Sequence, residues 1–167
     1  MNLSWRMLGL AREYRLFNGK QIVGLLKNNV WNSRAYGEFK GHLMRFEKDS
    51  KRRYQASILD IEGEKVLGTI EFGYFPRTAT IHYEGEIFTW KSLQKNGWGS
   101  WAVGNAEEES QYLSSNRIGT QGAITEGYLP PLVTMAGLYI HSYFFRRSLL
   151  SIVVGFALGV LMGYFVN

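Results

Sequence analysis

Eighteen consecutive residues near the C-terminus, Leu149 to Val166, carry no charge. As a helix rising about 1.5 Å per residue they would extend about 27 Å, close to the hydrocarbon thickness of a bilayer. Arg146 and Arg147 stand immediately before the run, and only Asn167 follows it. The expectation is a single C-terminal transmembrane anchor over residues 146–167, with Arg146 and Arg147 as its inner membrane flank. A helix this apolar can also be sheathed by a protein barrel, and the sequence leaves that alternative open. Ser151, Gly155, Gly159 and Gly163 recur every four residues and make one narrow stripe of small side chains. Such a stripe suits close packing against a second copy or a membrane protein, although glycine is also simply common in membrane helices.

Ahead of the run the chain is long enough for one domain with a real core. It is aromatic-rich at 15%, has 19 glycines and only three prolines, and so favours short strands with tight turns. Asn18-Gly19 and Asn96-Gly97 are hairpin signals, and Glu62-Gly63-Glu64 and Glu84-Gly85-Glu86 are turns. Strands are expected over 7–17, 21–27, 42–48, 54–61, 65–72, 78–83, 87–91, 98–104, 111–115 and 119–125. In 65–72 the alternation puts Val66, Ile70 and Phe72 on one face; in 87–91 it turns Phe88 and Trp90 inward. Strands at this spacing indicate an antiparallel barrel or sandwich.

Leu129-Pro130-Pro131 closes the strand region, with proline suited to a helix's first turn. Residues 132–145 then read as a helix apolar nearly all round. A helix without a polar face is buried on every side. At about 21 Å it is too short to span a bilayer alone, so the expected solution is a sheet wrapped around it. The domain organisation is therefore a barrel over 1–145 with central helix 132–145, then the anchor. Met1–Leu10 is interrupted by Arg6 and is not a signal peptide. The soluble part is accordingly expected on the cytoplasmic side.

The repeated strand-turn units from Tyr54 to Ile70 and from Thr80 to Lys91, and Leu129-Pro-Pro-Leu leading into an apolar helix, resemble the tubby-like superfamily. That superfamily includes phospholipid scramblases and LURP-one proteins. The resemblance covers roughly Met7 to Phe145. It implies a mainly β fold, a closed antiparallel barrel of about a dozen strands around a hydrophobic helix near the C-terminus. A terminal membrane helix would be an addition to that plan. The resemblance also implies recognition of anionic lipid headgroups. Arg45, Lys48, Lys51, Arg52 and Arg53, in a locally basic stretch, are the residues that would face them; the plainer reading is a solvated hairpin loop. A scramblase-like, lipid-translocating protein is the alternative, weakened by the absence of a calcium-binding motif.

Evidence for chemistry is otherwise negative. The chain has no cysteine, which excludes disulfides, thiol catalysis and thiolate-held metal. His42, His82 and His141 fall in no ligand or nucleophile spacing, and no hydrolase, P-loop or dinucleotide motif occurs. His141 is expected to bond barrel backbone. Glu107-Glu108-Glu109 cannot converge on one ion from an extended loop. Trp98, Trp101, Trp90 and Phe88 suit a core better than a ligand pocket, because an internal helix consumes the lumen. No enzyme activity, cofactor or metal is expected. The +5 net charge is local rather than a nucleic-acid footprint, which leaves membrane lipids and a helix-packing partner as the expected partners.

Overall fold

The computed structural model describes residues 3–29, 34–52, 54–74, 76–93, 99–125, 127 and 129–151, with the last helix running on to Phe165. Among these residues twelve strands are hydrogen-bonded antiparallel in chain order, and the first closes on the last to form a barrel. They are β1 (Leu3–Leu8), β2 (Glu13–Asn18), β3 (Gln21–Asn28), β4 (Arg34–Phe39), β5 (His42–Lys48), β6 (Gln55–Leu59), β7 (Val66–Gly73), β8 (Thr78–Tyr83), β9 (Glu86–Ser92), β10 (Trp101–Gly104), β11 (Glu109–Ser114) and β12 (Gln121–Ile124). The seam pairs Leu3 with Ile124 and Arg6 with Gln121. The helix α1 (Pro131–Phe165) follows.

Closure leaves no strand edge. Eight strands make an interior that side chains alone just fill; twelve enclose room for more, and here α1 occupies it. Every residue from Leu132 to Phe145 is buried, and together they join the inward faces of the strands in one core. The strands alternate accordingly: on β4, Ala35, Gly37 and Phe39 are buried and Arg34, Tyr36 and Glu38 are exposed. Aromatic rings stack across the helix–sheet boundary, Phe46 on Tyr139 at 4.6 Å, Phe72 on Tyr143 at 4.0 Å and Trp101 on His141 at 3.9 Å. The two-residue turns Lys40-Gly41 and Glu84-Gly85 have positive φ at both positions. That geometry matches the twist of the flanking strands.

Several expectations are corrected. The predicted strand over 7–17 is two strands, β1 and β2, separated by a turn in which Gly9, Leu10 and Ala11 all have positive φ, at 58°, 54° and 65°. Val66 does not share a face with Ile70 and Phe72 as expected: a register shift between Ile58 and Leu59 in the β6–β7 pairing leaves Val66 exposed while Ile70 and Phe72 are buried. Strand β4 went unpredicted. The hairpin expected at Asn96-Gly97, and Trp98, lie outside the described residues.

The largest correction concerns the C-terminus. Arg146 and Arg147 do not separate two helices; α1 is continuous from Pro131 to Phe165 across them. Arginine is a good helix former and no glycine, proline or cap stops the chain there. Among the described residues no helix is long and apolar enough to cross a membrane. The expected transmembrane anchor over 146–167, the membrane localisation built on it and the cytoplasmic placement of the barrel are therefore withdrawn. Arg146 and Arg147 are not an anchor's flank but helical residues packed at the barrel end.

Candidate functional site

Burial changes abruptly where α1 leaves the barrel. Phe145 is buried, Arg146 is half-buried, Arg147 is exposed and Leu150 is 67% exposed. The end where this happens is here termed the exit rim. In an up-and-down barrel alternate loops share an end. The β1–β2, β3–β4, β5–β6, β7–β8, β9–β10 and β11–β12 loops therefore lie at the exit rim, and the other turns lie at the far rim.

The two rims differ in charge. Among the described residues the exit loops carry Arg12, Lys51, Arg52, Arg77 and Arg117, to which α1 adds Arg146 and Arg147, against a single acid, Asp49. The far-rim turns carry Asp60, Glu62, Glu64, Glu84, Glu107 and Glu108 against Lys20, Lys40 and Lys65. The barrel is thus polarised along its axis, basic where the helix emerges and acidic opposite. Exposed apolar side chains sit beside the exit cations: Leu10 near Arg12, Tyr54 near Arg52, and Ile118 next to Arg117.

The local chemistry keeps these cations presented. Asp49 Oδ1 accepts the backbone N–H groups of Lys51 at 2.7 Å and Arg52 at 3.2 Å, which fixes the β5–β6 loop. Those two bonds hold the Asp49 carboxyl below its usual range. Lys51 and Arg52 stay exposed, with Arg52 Nη1 donating to Gln55 at 3.1 Å. Lys48 Nζ lies 5.5 Å from the centre of the Tyr143 ring, and the Arg147 guanidinium is 4.4 Å from that of Tyr74. Tyr74 and Tyr143 share a hydrogen bond at 2.5 Å. Burial, reinforced by that bond, pushes the Tyr74 hydroxyl up to about 12. Arg77 Nη2 donates to Ser148 Oγ at 3.1 Å, tying the β7–β8 loop to α1.

The predicted headgroup residues divide. Lys48, Lys51 and Arg52 come together at the exit rim. Arg45 does not join them as a free cation: it pairs with Glu47 at 2.7 Å, and Glu47 also pairs with Arg34. The Arg45 hydrogen bond is the main reason the Glu47 carboxyl is held low. Arg53 lies outside the described residues. Ser151 is exposed, and its hydroxyl donates to Arg147 O at 3.1 Å; Gly155, Gly159 and Gly163 are on the continuation of α1, where side-chain surroundings are outside the described residues. Arg12, Arg77 and Arg117 were missed, because they are far apart in sequence. Counting charges over alternate loops of the expected barrel would have found Arg77 and Arg117 but not Arg12, which falls inside the strand expected over 7–17.

Other candidates resolve into structure. His141 is buried, and its Nδ1 meets Tyr14 Oη at 2.8 Å, a side-chain partner where backbone was expected. Burial pushes the Tyr14 hydroxyl well up, partly offset by the Arg146 charge. Trp90, Trp101 and Phe88 are core. Glu109 pairs with Lys91 at 2.6 Å, and no cluster of metal-ligating side chains occurs among the described residues. No protein-family model, curated protein or solved structure matches the chain.

Proposed function

We propose that this protein is a non-enzymatic, tubby-like recognition module whose exit rim binds anionic lipid headgroups. The axial segregation of charge carries the reading. Among the described residues five loop cations and two on the emerging helix stand against one loop acid at the exit rim, while the opposite rim is acidic. A cation near an anionic lipid surface contributes about 1 kcal/mol, so several acting together suffice for reversible binding without an anchor. The acidic far rim disfavours the inverted approach and sets orientation. Exposed Leu10, Tyr54 and Ile118 among the cations suit the boundary between headgroups and acyl chains. A closed barrel filled by its own C-terminal helix supports the tubby-like reading.

Co-sedimentation of the full chain with phosphatidylserine–phosphatidylcholine vesicles tests this. Binding should exceed that to phosphatidylcholine alone and weaken with salt as surface charges are screened. Lys51→Glu with Arg52→Glu should reduce it at least tenfold, and Glu107→Lys with Glu108→Lys should not reduce it. Equal binding to neutral vesicles, or indifference to the Lys51 and Arg52 reversal, would end the reading.

A further inference from the structure

The emerging helix does not close against the β1–β2 turn. Between them lies a cleft of about 300 Å³, at the small end of the ~300–1,000 Å³ typical of ligand sites. Leu10 and Ala11 line it from the turn and Leu149 and Leu150 from the helix, and Arg12 and Arg146 complete the lining beside them.

The turn is held in a costly shape. Leu10 and Ala11 are left-handed, a conformation that side chains with a Cβ adopt only when their surroundings impose it. Buried Asn28 imposes it. Its Nδ2 donates to Ala11 O at 2.6 Å, its backbone N–H donates to Arg12 O at 2.7 Å, and its Oδ1 accepts from Ser142 Oγ of α1 at 3.4 Å. Both walls are thereby joined through one side chain, so the cleft is preformed.

Arg146 is withdrawn from water by half, yet among the described residues neither it nor Arg12 pairs with a carboxylate. The Arg146 Nε donates to Ser142 O at a long 3.4 Å. A partly desolvated guanidinium without counter-charge favours an incoming anion. An apolar cleft with this partly desolvated arginine and the exposed Arg12 along it matches a molecule with one charged head and one hydrocarbon tail.

We propose that this cleft binds a single-chain amphiphile with an anionic head, phosphate or carboxylate, the head on Arg12 and Arg146 and the tail along Leu10, Ala11, Leu149 and Leu150. The proposal deepens the headgroup reading and rests on it for the ligand class: the rim meets the surface and the cleft takes one chain.

Titration of the full chain with dodecyl phosphate, below its micelle concentration, tests it by calorimetry. Inorganic phosphate, octanol and dodecyltrimethylammonium are the controls. Dodecyl phosphate should bind at one site, at least tenfold tighter than any control. Arg146→Gln should weaken it about tenfold or more, as loss of a charged hydrogen bond does. Leu10→Asn should also weaken it while leaving the fold intact, because asparagine tolerates the left-handed turn. Lys51→Glu with Arg52→Glu should spare it while reducing vesicle binding at least tenfold, which separates failure of the cleft from failure of the rim. No saturable binding, equal binding of the cationic detergent, or affinity unchanged in both cleft variants would overturn the proposal. Binding of free dodecyl phosphate alongside unaltered vesicle affinity in Arg146→Gln would assign the cleft to free amphiphiles; a parallel loss would assign it to bilayer lipid.

Discussion

Gly137 gives a test of sign for the helix inside the barrel. In an exposed helix interior, alanine in place of glycine stabilises by about 1 kcal/mol. Here a Cβ at 137 would lie 2.8 Å from Val103 Cγ2 and 3.4 Å from Tyr112 Oη. Carbon atoms in good contact sit roughly 3.5–4.0 Å apart, so something must move by close to 1 Å. Val103 is poorly placed to move: it is fully buried, β-branched, and on β10, which is paired on both sides. Tyr112 is held by a hydrogen bond from its hydroxyl to Thr134 O of α1 at 3.1 Å. Overpacking of this kind costs about 1–3 kcal/mol. Against the propensity gain, Gly137→Ala should destabilise by roughly 0–2 kcal/mol. Urea unfolding followed by tryptophan fluorescence reads this directly. Val103→Ala should relieve the clash, so the double variant should be more stable than the summed singles by about 1–2 kcal/mol. Stabilisation by Gly137→Ala alone, or strict additivity with Val103→Ala, would refute placement of α1 against β10.

Two further outcomes follow from the core. Tyr14→Phe removes the hydroxyl that meets His141 and should cost about 1–3 kcal/mol in the same unfolding assay; no change would show that the pair contributes nothing. Burial raises the Tyr139 hydroxyl to about 12, and burial with the Tyr143 bond does the same for Tyr74. Above the ordinary tyrosine range near 10 the unfolded chain releases these protons and the folded one keeps them, so stability should fall as pH rises from about 10 to 12. Tyr139→Phe should flatten that fall, as read by unfolding midpoints against pH; an unchanged slope would contradict it.

What was legible in the sequence was local. Gly19 and Glu84-Gly85 declare their turns because their conformations need little else, and the inward faces of Phe88 and Trp90 follow from strict alternation. What was not legible depends on distant contacts. Leu10 and Ala11 turn left-handed in a turn that Asn28 holds at Ala11 O, and nothing in their own side chains asks for it. Gly37 looks like a break, yet it sits mid-strand where a Cβ would come within 3.2 Å of Met135 Cε on the helix. Val66 parted from the face of Ile70 and Phe72 through a shift visible only in the strand pairing. The double arginine looked like a boundary because its charge was weighed above its helix propensity. The Lys48–Arg52 part of the basic rim was readable as a charge run, whereas Arg12, Arg77 and Arg117 reach it through topology.

Orientation on a charged surface is the most direct test of the charge-polarised barrel. Since the chain has no cysteine, single substitutions take one environment-sensitive fluorophore each. Ile118→Cys labels an exposed exit loop, and Glu107→Cys labels the far rim. With phosphatidylserine vesicles the label at 118 should shift to the blue and be quenched by brominated acyl chains, while that at 107 should report water throughout. Quenching at 107, or none at 118 under conditions where the protein sediments with the vesicles, would contradict the account.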